Sequence, residues 1–379
     1  MRFKLILSVI CSLIGLGILS AIEPDWGVKM QEFRNILSEL LPDVISDEEF
    51  NSRVNFERIK RNAIKLSMLA HSMPKGELPS DMDPSIGFIT SLFKDEALMA
   101  QYHLESGNPA YARRILRAIP KYCIACHTRG PIKLELSSQE VPKSFKTPLE
   151  RAEYFDSTWQ FDKALNEFEK AVSDNFIAEK HQIEWQKAAY YGIATAVRVK
   201  QDPDRALKFV NLIIDSPSSP QFLRNDALQW QKSLLDWKKE QTQTFETEVE
   251  LMAEAKRLID SARTLQKYPF DRDADILYLR ATSTLHNFLS KYSDSSNAGE
   301  ALLLLGHCYE ILQDLDLWSL HELYFQACIQ KFPHSPVAQA CYNRYEESIF
   351  AGYSGSGGMS LPPQIQLHLN KLKKLAAPN

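Results

Sequence analysis

Apolar residues recur at three- and four-residue steps along most of the chain, the period of a helix that buries one face. Met30, Phe33, Leu37, Leu40 and Val44 form a first stripe, with Pro42 disturbing its end. Phe56, Ile59, Ala63, Leu66 and Ala70 form a second that stops at Pro74, and Ile86, Ile89, Phe93, Ala97, Ala100 and Leu104 a third that Gly107 ends. Asn108 and Pro109 supply an N-cap and a first-turn proline for a fourth helix, in which Pro120 should introduce a kink. Narrow stripes joined by mostly short connections predict an up-down-up-down four-helix bundle.

Residues 132–147 lose the periodicity and read as a linker. Beyond it the helical pattern returns and repeats. Ala164, Phe168 and Ala171 fit the second-helix positions of a tetratricopeptide-like unit, and Ala152 and Phe155 its first helix. Gly192-Ile193-Ala194 with Ala206, Val210 and Ile213 gives a looser copy, and Leu305-Gly306 with Tyr309 a third first helix. The segment from Lys291 to Ala298 matches that from Lys331 to Ala338, an offset of 40 residues against the usual 34, so the units are irregular. Gly352 to Gly358 lacks the Lys-Ser/Thr of a phosphate-binding loop and reads as a glycine-rich turn before a capping helix opened by Pro362-Pro363. The fold class is therefore all-α: residues 23–131 as the bundle, 148–350 as an α-solenoid, and 351–379 as turn and cap.

The 379-residue chain carries 44 basic and 48 acidic residues, so bulk charge gives no support to a nucleic-acid or polybasic membrane-surface role. Arg2 and Lys4 precede an uncharged run from Leu5 to Ile22. A cleaved export signal and an uncleaved single membrane anchor both fit residues 1–22. Either places the remainder in an exported, periplasmic compartment. Cys308, Cys328 and Cys341 are an odd set, expected as buried small apolar residues, with one disulfide plus a free thiol as the alternative. His307 and His321 lie near them without metal-ligand spacing.

The candidate chemistry lies in Cys123-Ile124-Ala125-Cys126-His127, a C-x-x-C-H run that is the attachment signature of c-type haem. Residues three apart share a helix face, so both thiols can add to the vinyl groups of one porphyrin edge, and the adjacent His127 can ligate the iron. A thioredoxin-like dithiol would need a strand–helix setting, which the helical flanks do not provide. A structural zinc site would need a second ligand pair, and none stands nearby. Up-down topology puts Met30, Met68, His71, Met73 and Met82 at the same end as the motif, and Met99 and His103 at the other.

An exported four-helix bundle ending in C-x-x-C-H resembles the cytochrome c-prime superfamily over residues 25–131. That resemblance implies one covalent haem c, Cys123 and Cys126 as thioether residues, and His127 as proximal ligand. It also implies Met30 as the sixth ligand of a low-spin member, with His71 as the lesser candidate and an open sixth position as the alternative. Arg129 is a candidate propionate partner, as is Lys121. The CIACHTR segment and the GYSGS tail together resemble proteobacterial proteins that join an exported cytochrome to helical repeats. The expectation is a single-electron carrier rather than an enzyme, docking a redox protein through its repeats. A five-coordinate gas-binding protein and a repeat scaffold in a redox complex are the rival expectations.

Overall fold

The structure, a computed structural model, describes residues 26–73, 85–127, 141, 143–240, 244–268, 271–312 and 320–378, the side chains of residues 26, 27, 86 and 124–127 excepted. These residues are mostly helical. The expected N-terminal signal or anchor, Cys11, Met82, Arg129 and most of the 132–147 linker lie outside them. Among the described residues no helix is long and apolar enough to cross a membrane.

Four long helices come first: α1 (Trp26–Ile45), α3 (Arg53–His71), α4 (Ser85–Glu105) and α5 (Pro109–His127), with a single extra turn α2 (Asp47–Asn51) that the stripes did not predict. The extra turn is local capping chemistry, for the Ser46 hydroxyl accepts from the Glu49 amide. Helix α1 continues past Pro42, and α5 runs through Pro120 to His127. Helix α1 packs on α3 and α5, α3 on α4, and α4 on α5, closing a ring of four. The stripe residues Phe33, Leu37, Leu40, Val44, Ile59, Ala63, Leu66, Ala97, Ala100 and Leu104 are buried inside it. Gly107 turns the chain at φ 80°, a left-handed conformation that glycine adopts without steric cost.

The second half stacks consecutive helices. Helix α6 (Pro148–Ser157) packs on α7 (Phe161–Ser173), which carries Ala164, Phe168 and Ala171 fully buried. After the short α8 (Asn175–Lys180), α9 (Gln182–Ala194) runs on as a π-helical turn (Thr195–Val199) and packs on α10 (Pro203–Asp215). Then α11 (Gln221–Glu240), α12 (Glu248–Leu265), α13 (Asp275–Lys291), α14 (Ala298–Ile311), α15 (Leu320–Lys331) and α16 (Pro336–Gly352) follow. Each of these packs closely on its predecessor except α12, which meets α11 through the Arg257–Glu240 ion pair at 3.1 Å, and α11 also packs on α13.

The tightest joints use glycine in one helix beneath phenylalanine of the next, Gly192 under Phe209 and Gly306 under Phe325. The matched segments after Lys291 and Lys331 are both helix-to-helix turns, and Lys331 reaches back to Asp294 at 3.1 Å. The glycine-rich run forms a tiny antiparallel hairpin, β1 (Ser354–Gly355) with β2 (Gly358–Met359), rather than a plain turn. Helix α17 (Pro363–Ala376) then buries Leu369, Leu372 and Ala376 against α15 and α16.

Cys328 and Cys341 form a disulfide between α15 and α16, which overturns the expectation of three buried apolar cysteines. Cys308 alone is a buried thiol, its pKa pushed up to about 12 by burial. The spacing of the cysteines carried no pairing information; the packing of α15 on α16 supplies it.

Candidate functional site

Helix α5 presents two different faces near its carboxyl end. At about 100° per residue, Cys123, Cys126 and His127 fall within a sector of about 100°, and Arg117 and Lys121 fall on the far side. The backbone of all three motif residues lies in the helix. Cys123 is half-buried and packs against the apolar core. The side chains of Cys126 and His127, like Arg129, lie outside the described part of the structure.

The first helix reaches this end of the bundle. Arg113, at the start of α5, donates to the carbonyls of Val44 (2.7 Å) and Ile45 (2.8 Å) at the end of α1, so the two helices run antiparallel. Met30, in the first turns of α1, therefore sits toward the motif, half-buried and packed on the core. One turn further in, Phe33 meets Phe93 edge to face at 5.2 Å. Lys29 donates to the Ser72 hydroxyl at 2.9 Å, which brings the end of α3 to the same place. His71 is there too, but its ring is exposed and Nδ1 lies 2.9 Å from the Ser67 carbonyl of its own helix. Met73 is buried and Met68 is 67% exposed. His103 contacts Tyr102 and Tyr111 at the opposite end. Apolar walls come from Ile89, Ile119 and Tyr122, whose phenol is raised by burial and by the Glu96 carboxylate.

The far side of α5 faces the second half of the chain. Arg117 pairs with Glu153 of α6, whose other oxygen lies 2.9 Å from Lys187 of α9. Burial works against the Glu153 carboxylate, and the two cations overcome it and hold its pKa below the usual range. Lys121 donates to the Tyr191 hydroxyl at 2.8 Å, its ammonium 4.5 Å from that ring's centre, and Lys187 lies over the same ring at 5.3 Å. Lys121 thus points away from the sector that holds Cys123. Asp156 accepts from the Thr195 hydroxyl at 3.1 Å, and burial pushes its pKa up to about 6 against the opposing pull of Thr195 and Lys121.

Sequence reasoning passed over Glu153, Asp156, Lys187 and Tyr191. The signal for Lys187 and Tyr191 was the four-residue step from 187 to 191 to 195 on one helix face, and Glu153 and Asp156 had none.

The residue types at these backbone positions, Cys123 and Cys126 three residues apart on α5 with His127 next in sequence, and Met30 at the near end of α1, are of the kind a covalent haem uses. Among the described residues no group of three or more histidine, cysteine or carboxylate side chains could hold a metal ion by itself. His321 bonds to Ser348 at 2.8 Å, and His307 lies 3.8 Å from Glu310. No protein-family model, no curated protein and no solved structure matches the chain.

Proposed function

We propose that the protein is an exported, periplasmic c-type cytochrome that carries single electrons. In this reading residues 23–131 are a four-helix haem bundle and residues 148–350 a tetratricopeptide-like solenoid. The observation that carries it is the C-x-x-C-H run at the end of α5, with the Met30 end of α1 beside it. Cys123 and Cys126 would hold the porphyrin by thioether bonds, and His127 would be the proximal ligand. Haem c would supply a one-electron Fe(III)/Fe(II) couple.

The rest is the work of the chain's own residues. Met30 is half-buried where His71 is exposed, which favours Met30 as the distal ligand. Phe33, Phe93, Ile119 and Tyr122 keep water from this end of the bundle, and ligand identity with burial sets the potential. The Cys328–Cys341 disulfide supports an oxidising compartment, and with it export through residues 1–22. The solenoid carries the contacts to a redox protein partner, and the protein is not an enzyme.

The test is an absorption spectrum of oxidised and reduced protein, with and without carbon monoxide, made alongside cytochrome c maturation machinery. A low-spin spectrum indifferent to carbon monoxide is expected, turning high-spin in Met30→Ala. Absence of covalent haem would sink the proposal. A high-spin spectrum that shifts with carbon monoxide would replace the electron carrier by the gas-binding alternative.

A further inference from the structure

The inner face of α9 and its π-helical turn is turned toward the chain's own bundle. Lys187, Tyr191, Thr195 and Arg198 follow one another at four-, four- and three-residue steps. The wider π-helical turn holds Thr195 on the Asp156 carboxylate, with Arg198 close enough to act on the same charge. Such turns recur at functional sites because they re-aim side chains that a regular helix would carry past. Against this face stand Arg117 and Lys121 of α5, with Glu153 and Asp156 of α6 between. The cluster holds four cations and two carboxylates, and both carboxylates come from the second half of the chain. A second contact lies far along the sequence, where α15 packs on α4, the helix paired with α5.

We propose that this face is a seat for the haem-bearing helix of the same chain, and that Glu153 is the positioning residue that fixes the carboxyl end of α5. The inference rests on the haem reading above for its function, but not for its geometry. Glu153 is the only carboxylate in the cluster that touches both sides, pairing Arg117 of α5 and Lys187 of α9. Removing its charge leaves two cations facing each other across the buried position of the lost carboxylate. Tyr191 adds a hydroxyl and a ring face to Lys121, four residues before Ala125. It follows that an external redox partner uses another surface of the solenoid.

The experiment uses the full-length chain, comparing Glu153→Gln, Glu153→Asp and Tyr191→Phe with the parent. Hydrogen exchange of peptides from residues 109–127 is read against those of α12 in the same molecule. Exchange in the α5 peptides should rise about tenfold in Glu153→Gln and about threefold in Tyr191→Phe, with α12 unchanged. Glu153→Asp should restore most of the protection. In haem-loaded protein Glu153→Gln should also raise the reduction potential, because removing a negative charge from the protein favours the less positively charged Fe(II) state. Unchanged exchange in both Glu153→Gln and Tyr191→Phe would overturn the seat. A missing haem with raised α5 exchange would remove the haem reading and leave the seat standing.

Discussion

Replacing Gly192 by alanine should destabilise the protein, even though alanine is the better helix former. A Cβ there would lie 2.6 Å from Cζ and 2.8 Å from Cδ1 of Phe209, with Cε1 nearer still. Phe209 is fully buried on α10, and a close-packed interior offers its ring nowhere to go. Overpacking of this kind costs about 1–3 kcal/mol, and losing a helix-interior glycine returns about 1 kcal/mol. Overlap with three ring atoms puts the cost at or beyond the top of that range, so the net loss should be about 2 kcal/mol. Gly306 stands in the same relation to Phe325, with Cδ1 at 2.6 Å and Cζ at 2.9 Å, and Gly306→Ala should lose a similar amount.

Gly299 is the internal control. Its nearest atoms are Val337 Cγ1 at 2.9 Å and Phe332 Cδ2 at 3.0 Å, both on half-buried side chains that can shift. Gly299→Ala should therefore stay within about 1 kcal/mol of the parent. Urea denaturation followed by far-ultraviolet circular dichroism measures all three. If Gly192→Ala and Gly306→Ala were as stable as the parent, glycine beneath phenylalanine would not be what brings these helices together.

Reduction of the Cys328–Cys341 bridge should lower stability by about 3 kcal/mol through the regained freedom of a loop of this length, with a sequence separation of 13 residues, and a melt with and without reductant tests it. Cys308 should resist alkylation in the folded protein and react on unfolding, because burial holds it as the thiol; rapid labelling of the native chain would contradict this. Asp156 has a folded pKa of about 6 against an ordinary 3.8, so the folded chain binds the extra proton between those values. Stability should fall as pH rises from about 4 to about 6 and then level off, with about 3 kcal/mol at stake. Asp226, raised to about 6 by burial and by the nearby Asp273 and Asp275 carboxylates, acts with the same sign. Asp156→Asn should remove its own share of the slope, and an unaltered pH profile of urea midpoints would refute the assignment.

Short-range information was readable where chain chemistry alone decides. The stripes of α1, α3 and α4, the stop at Gly107, the proline starts of α5 and α17, and the motif at the end of α5 all follow from helical period, capping and backbone limits. The turns between later helices did not announce themselves. Trp159, Gln201 and His334 each take positive φ two residues before a helix begins. Trp and Gln do not mark that conformation; His is enriched in it, and His334 is held there by its amide on the Leu375 carbonyl at 2.7 Å and its ring Nδ1 2.9 Å from the Ala377 carbonyl.

The same division applies to the site. Spacing alone places Cys123, Cys126 and His127 on one helix face, because three- and four-residue steps are fixed by the helix itself. Which end of α1 meets that face required only the topology of the first four helices, and Arg113 on the Val44 and Ile45 carbonyls agrees with it. The far side of α5 is another matter. Arg117 finds Glu153 across 36 residues and Lys121 finds Tyr191 across 70, pairings that no local period encodes. The disulfide is likewise a consequence of α15 lying on α16. Sequence determined the helices and the grouping of the C-x-x-C-H residues; tertiary structure alone decided which charges are buried together, because burial and Coulomb attraction depend on distance in space and not along the chain.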